Sequence, residues 1–231
     1  MKINVLDVRG IPYKVRKTQT KRIAVVVKND AVVYVRCYLY ATNEEVNNFI
    51  ENHIKWIEEQ YLKYYRPRRE YKNNERYLLL GKEYILHVVE MKKDEVFIEG
   101  NYLVVYTKNN TYEHNKKIIT KFKNEQIDEV FNILLNKCFL KMKHLLTKYP
   151  TLEYKKYKAR WGCCYVKQNK IILNSSLIHV PINLIECVIF HELTHFIHPN
   201  HTQQFYDTFG IFVDNPKRVQ KELKKYSTIY E

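Results

Sequence analysis

PINLIECVIFHELTHFIHPNH, residues 181–201, is the stretch on which the reading of this chain turns. His191 and His195 are four residues apart, so on a helix they stack on one face, and Glu192, rotated by about 100°, stands beside them. Two imidazoles at this spacing with an adjacent carboxylate form the HExxH pattern of a catalytic zinc helix, in which the glutamate stays free to act as a base. Such an ion, held by three protein ligands, keeps a position open for water and lowers that water's pKa to about 7.

Around the motif, Ile182, Ile185, Ile189, Leu193 and Phe196 recur at steps of three or four and make an apolar stripe roughly opposite the imidazoles. Pro181 suits the first turn of such a helix, and Pro199 predicts its end near His198. The chain is then free to fold back and bring in His201 as third metal ligand. His198 lies on the imidazole face but about 10 Å along a straight helix from His191, too far to share its ion, which leaves it a place at the rim.

RWGCC (160–164), KIILN (170–174), HELTH and NHTQQF (200–205) together resemble the YgjP-like family of predicted zinc metallopeptidases, in order and in spacing. The amino-terminal half is similar too, with a helix ending in IKWI (54–57) and a hairpin around LGKEY (80–84). The resemblance implies an α+β, zincin-like metallopeptidase domain with an N-terminal β-hairpin and helix subdomain, and a zinc cofactor. It further implies that the RWG element frames the cleft, so Arg160, Trp161 and Gly162 become candidate site residues; in a peptidase a cationic group such as Arg160 or His198 would be catalytic by steadying the oxyanion.

Outward from the motif, Arg22–Lys28 and Ala31–Cys37 read as strands joined by an Asn29-Asp30 turn. Thr42 with Glu45 forms a capping box, and Val46, Phe49, Ile50, Ile54, Ile57 and Tyr61 follow at helical spacing, predicting one helix over about 43–64. RPRRE (66–70) reads as a linker, dividing the chain into 1–70 and 71–231. Strands are expected near 83–90, 95–99 and 102–107, a long helix over about 113–148 packed on the zinc helix, and strands near 153–159 and 170–174 flanking the RWG turn. An edge strand in that last region is where an extended peptide would pair. Closing helices are expected at Phe205–Phe212 and Lys217–Tyr226, with no internal repeat.

At 231 residues and 45% hydrophobic content the chain can bury a sizeable core. No apolar run approaches the eighteen or so residues that span a bilayer, and the first residues lack a secretory core, so no membrane partner and a cytoplasmic location are expected. Five cysteines, an odd number without a CxxC pair, argue against a disulfide framework and a zinc ribbon; Cys163, Cys164 and Cys187 read as packing thiols. The net charge of +14 comes with clusters at Lys14–Arg22, Arg66–Arg69 and Lys155–Lys158, the last leading into Arg160.

The function expected is a zinc-dependent hydrolase, above all a metallopeptidase acting on a peptide or protein substrate, with Glu192 as general base and His191, His195 and His201 as ligands. Two alternatives share the same residues. One is hydrolysis of a phosphoanhydride, as in a nucleoside triphosphate, with the Lys155–Arg160 strip holding phosphate. The other is a basic module that binds nucleic acid and keeps zinc for structure alone. The state of assembly is left open.

Overall fold

The computed structural model describes residues 5–8, 11–28, 32–64 and 69–226. It divides into two compact units, residues 1–68 and 69–231. In the first, β1 (Val5–Val8), β2 (Ile11–Thr18), β3 (Ala24–Val27) and β4 (Val33–Tyr38) form a sheet of order β1-β2-β4-β3. β3 and β4 pair antiparallel, whereas β2 and β4 run parallel. The expected Asn29-Asp30 turn and Arg66–Arg68 lie outside the described residues. The β1-β2 pair is absent from the sequence expectation, because in IPYKVRKT the outward cations hide the inward alternation of Ile11, Tyr13 and Val15.

The capping box forms: Thr42 Oγ1 accepts from the Glu45 amide at 3.1 Å, and the Glu45 carboxylate accepts from the Thr42 amide at 2.8 Å. The single helix expected over 43–64 is instead two, α1 (Asn43–Asn52) and α2 (Ile54–Tyr64). His53 makes the break. Its Nδ1 bonds the Phe49 carbonyl at 2.8 Å, and its amide turns to the Ile50 carbonyl at 3.0 Å. Val46, Ile50, Ile54 and Ile57 bury with Val33, Val35 and Cys37 in this unit's own core.

In the second unit β5 (Arg76–Leu79), β6 (Lys82–Glu90), β7 (Glu95–Glu99) and β8 (Tyr102–Thr107) form a sheet of order β5-β6-β8-β7. Its pairings repeat those of the first: β5-β6 and β7-β8 antiparallel, β6-β8 parallel. In both units the fourth strand leads, after a four-residue link, into a helix with a threonine N-cap, Thr42 or Thr111. The chain thus holds one four-strand-and-helix topology twice, although its sequence shows no internal repeat. The repeat is one of backbone path, which alternating apolar residues of many kinds satisfy without shared sequence.

That helix, α3 (Tyr112–Met142), carries Ile127, Phe131, Leu134, Cys138 and Met142 into the main core. It stops six residues short of the expected end, so Leu145 and Tyr149 are exposed, and the chain runs through Pro150 into β9 (Thr151–Lys155). β9, β10 (Gly162–Tyr165) and β11 (Lys170–Asn174) form a third sheet with β10 at its edge. The remaining elements are 3₁₀ turns at Val166–Gln168 and Ser175–His179, α4 (Ile182–Thr194), α5 (Gln203–Gly210) and α6 (Pro216–Tyr226). α3 and α4 pack through Cys138, whose thiol meets the Glu186 carbonyl at 4.0 Å, with Lys137 paired to the Glu186 carboxylate outside. No described helix is long and apolar enough to cross a membrane.

Two contacts set the start of α4. The Leu80-Gly81 turn between β5 and β6 has φ of 52° and 79°, and its amides donate to the Ile178 and His179 carbonyls at 2.7 and 3.2 Å. A Cβ on Gly81 would fall 2.6 Å from Pro181 Cγ and 2.9 Å from its Cα, beside the first residue of α4. Gly81→Ala therefore costs about 2–4 kcal/mol, from the left-handed backbone and the overlap together, and denaturant unfolding will show it as a lower midpoint.

His179, buried, holds its Nδ1 at 2.7 Å from the Leu78 carbonyl. Burial lowers its pKa to about 4, against the Leu78 hydrogen bond that raises it, with Arg69, Lys123 and Lys156 adding to the fall. The unfolded chain takes up this proton below about 6.5, and the folded chain refuses it until about 4. Stability is thus complete above pH 6.5 and declines by about 3 kcal/mol as pH falls to 4. Urea midpoints of the metal-free protein at pH 7 and 4.5 will diverge accordingly. His179→Asn, whose amide can still donate to Leu78, will remove this part of the slope.

Candidate active site

α4 holds its imidazoles where the apolar stripe requires. Ile185, Ile189 and Leu193 are fully buried, and His191 and His195 emerge on the other side. The helix ends at Thr194, sooner than Pro199 alone suggests, because the Phe196 and Ile197 amides turn to the Leu193 and Thr194 carbonyls, three residues back. This tightened exit lets residues 199–202 double back, and His201 Nε2 arrives 3.0 Å from His191 Nε2. His195 Nε2 lies 3.2 Å from the same atom.

Three imidazole nitrogens thus face one another, all within 4.8 Å. Zinc-nitrogen bonds of 2.0–2.1 Å in a tetrahedron put ligand atoms about 3.3 Å apart, close to the 3.0 and 3.2 Å that separate His191 Nε2 from its two neighbours. The donors suit a cation electronically as well. Burial, then His195 and His201, lower the His191 pKa to about 4, and burial lowers that of His195, so both rings are neutral donors near pH 7. His195 Nδ1 donates to the His198 carbonyl at 3.2 Å, which leaves its Nε2 lone pair for the metal. The residues present therefore fit a zinc ion.

His198 serves the site by that carbonyl and by its ring, which bonds Thr208 Oγ1 on α5 at 3.0 Å. Phe205 had no role in the sequence reading beyond a helical position. Its buried ring lies 4.7–4.9 Å from all three imidazoles and packs them together. Phe209 adds an edge contact to His191 at 5.5 Å.

Glu192 is 5% exposed. Burial raises its carboxyl pKa to about 8, against the pull of the Arg160 guanidinium. Gly162, on β10, faces it: a Cβ there would lie 2.6 Å from Glu192 Oε1 and 2.8 Å from Cγ. Arg160, Trp161 and Gly162 line a cavity of about 220 Å³ with His191 and Glu192, while Val219 and Leu223 of α6 form the opposing wall. The stretch expected as an RWG turn is a turn only as far as Trp161, since Gly162 already belongs to β10.

Asn174, 4% exposed at the end of β11, ties this stretch in place. Its amide nitrogen donates to the Tyr157 and Arg160 carbonyls at 3.0 and 2.9 Å, and its backbone amide to the Trp161 carbonyl at 2.8 Å. The signal available beforehand was one polar residue closing an apolar strand. None of the five cysteines is in a disulfide. Burial raises the Cys164 thiol to about 12, helped by Glu192, and the Cys187 thiol to about 11, helped by Glu186, as packing residues require.

A family model described as YgjP-like, metallopeptidase domain, matches residues 21–226. The chain belongs to the YgjP-like metallopeptidase family. The match takes in every residue of the site described above. Among solved structures, the metallopeptidase zymogen of Methanocaldococcus jannaschii jannalysin is similar at 19% identity and a TM-score of 0.37, over 43% of this chain and 97% of that one. The zymogen of Pyrococcus abyssi abylysin is similar at 15% identity and a TM-score of 0.37, over 43% and 93%. No curated protein matches the YgjP-like chain.

Proposed function

We propose that this YgjP-like metallopeptidase is a zinc enzyme in which His191, His195 and His201 hold the ion and Glu192 is the general base. The observation that carries the reading is the convergence of three imidazole Nε2 atoms beside a buried carboxylate. Zinc, when bound, supplies a Lewis acid and lowers the pKa of water at its open position. Burial alone favours the protonated carboxyl, so Glu192 would depend on the field of a bound cation to be ionised near pH 7, and as a carboxylate it would take the proton from the attacking water and return it to the leaving amine. Arg160, on the wall of the same cavity, steadies the negative charge that develops on the carbonyl oxygen. β10 lends its outer edge to an extended peptide, whose backbone would pair with Gly162–Tyr165.

Phosphoanhydride hydrolysis would use the same ion and base. The chain has only five glycines and no Walker-type loop to cradle phosphate, which favours the peptide bond. The test is elemental analysis of the purified chain and of His195→Ala, followed by assays on a peptide library and a nucleotide panel. Bound zinc that His195→Ala loses, with zinc-dependent peptide cleavage that falls in parallel, is the expected result. A wild-type chain that holds no metal after reconstitution overturns the reading, and cleavage of nucleotides alone moves it to the second chemistry.

A further inference from the structure

Next to the cavity at Glu192 lies a second, of about 310 Å³. The two share Arg160, Trp161, Gln220 and Leu223, so an extended ligand lying in one continues into the other. Trp161 and the buried Leu223 give the second an apolar part of its wall, and its cationic lining is Lys156, Lys158, Arg160 and Lys224. No Asp or Glu among the described residues lines it. Elsewhere Lys137, Lys170 and Arg218 pair with Glu186, Glu153 and Glu222, whereas Lys156, Lys158 and Arg160 make no ion pair among the described residues. Positive charge is also crowded behind the rim. Burial, and then Lys156 and Arg69, hold the Lys123 ammonium below the ordinary lysine range.

With a net charge of +14, unpaired lysines on a convex surface would mean little. Here they converge on one concavity, large enough for a side chain and continuous with the candidate catalytic cleft. We infer that this cavity is a subsite for a carboxylate of the substrate, either an Asp or Glu side chain or the C-terminal carboxylate of a peptide reaching across Arg160. The inference deepens the peptidase reading and rests on it for the identity of the ligand. Trp161 and Leu223 pack the aliphatic stem, and Lys156 and Lys158, as point charges on exposed stems, neutralise the acid.

The test uses quenched peptides in which Glu replaces Ala at each position in turn, each made with a free and an amidated C-terminus. The zinc-loaded full chain should cut one acidic member at a kcat/KM about tenfold or more above its alanine counterpart. Preference that follows the Glu position assigns the side chain, and preference abolished by amidation assigns the terminus. In Lys156→Glu/Lys158→Glu the preference should vanish or reverse, with cleavage of neutral peptides unchanged. Lys156→Gln/Lys158→Gln repeats the test without adding charge.

Binding to the Glu192→Gln chain, followed by intrinsic tryptophan fluorescence, provides a readout independent of turnover. If no peptide is cut but acidic ones still bind about tenfold tighter through the two lysines, the subsite stands and the peptidase reading falls. Cleavage without acid preference, equal binding of acidic and neutral peptides, or preference that survives both double variants overturns the subsite. A nucleoside triphosphate that displaces acidic peptides and depends on the same lysines overturns its assignment to peptide and gives it to phosphate.

Discussion

Glu192→Gln will leave the metal content of the chain unchanged while lowering its rate of hydrolysis about a hundredfold or more. The side chain is not among the three converging imidazoles, so the ligand set stays whole. Glutamine keeps the shape of glutamate and loses only its capacity to take a proton. Because burial penalises the ionised carboxyl and a neutral amide of the same shape carries no such penalty, thermal stability of the variant should match or exceed that of the wild type. Metal analysis, a melting curve and a rate measured on one preparation separate the outcomes. A variant that keeps its zinc and its full rate would sink the general-base role, and one that loses zinc would make Glu192 a partner of the ligands.

Gly162→Ala will lower activity by about a hundredfold without touching any metal ligand or any charged group. A methyl group there would stand 2.6 Å from Glu192 Oε1, 2.8 Å from Cγ and 2.9 Å from Cδ, distances that van der Waals radii do not allow. Gly162 is paired with Leu173 in the sheet, and Glu192 sits on a helix whose apolar residues are fully buried, so neither backbone can retreat easily. The carboxyl must swing away, and a base displaced by about 1 Å is a base out of reach of its proton. Metal stoichiometry should hold. Equal activity of Gly162→Ala and wild type would mean that the carboxyl reacts from another position.

The second prediction locates the limit of what residue patterns convey. HELTH carries its meaning within five residues, since a helix places positions four apart on one face whatever surrounds it. Nothing in RWGCC says that its glycine faces the glutamate of HELTH, thirty residues on. That relation exists only because β10 pairs with β11 and packs on α4. The same division explains the elements. Val-rich β3 and β4, the capping box at Thr42 and the stripe on α3 are local signals, legible from period and composition. The break at His53 depends on a ring nitrogen competing for a helix carbonyl, which no periodicity encodes. Strands β1, β2 and β10 are hidden from the sequence because they are short, or because cations stand between the apolar positions, as in β2.

Cys163 and Cys164, adjacent in sequence, make the same point on a smaller scale. They alternate across β10, so one meets the Arg160 guanidinium at 3.7 Å and the other turns toward Glu192. The basic run at 155–160 is likewise plain as composition. Its gathering into a cavity wall needs Asn174, whose side chain donates to the Tyr157 and Arg160 carbonyls and accepts from the Tyr157 and Ser176 amides. The family and the candidate ligands and base were thus legible in sequence alone, because helical spacing is a short-range property that survives any tertiary context. The approach of His201 to His191, the close fit of Gly162 on Glu192 and the joining of a cationic cavity to the cleft were decided by tertiary structure. Each depends on packing between segments distant in the chain, where the energy of close contact falls off within an ångström and only the assembled fold sets the distance.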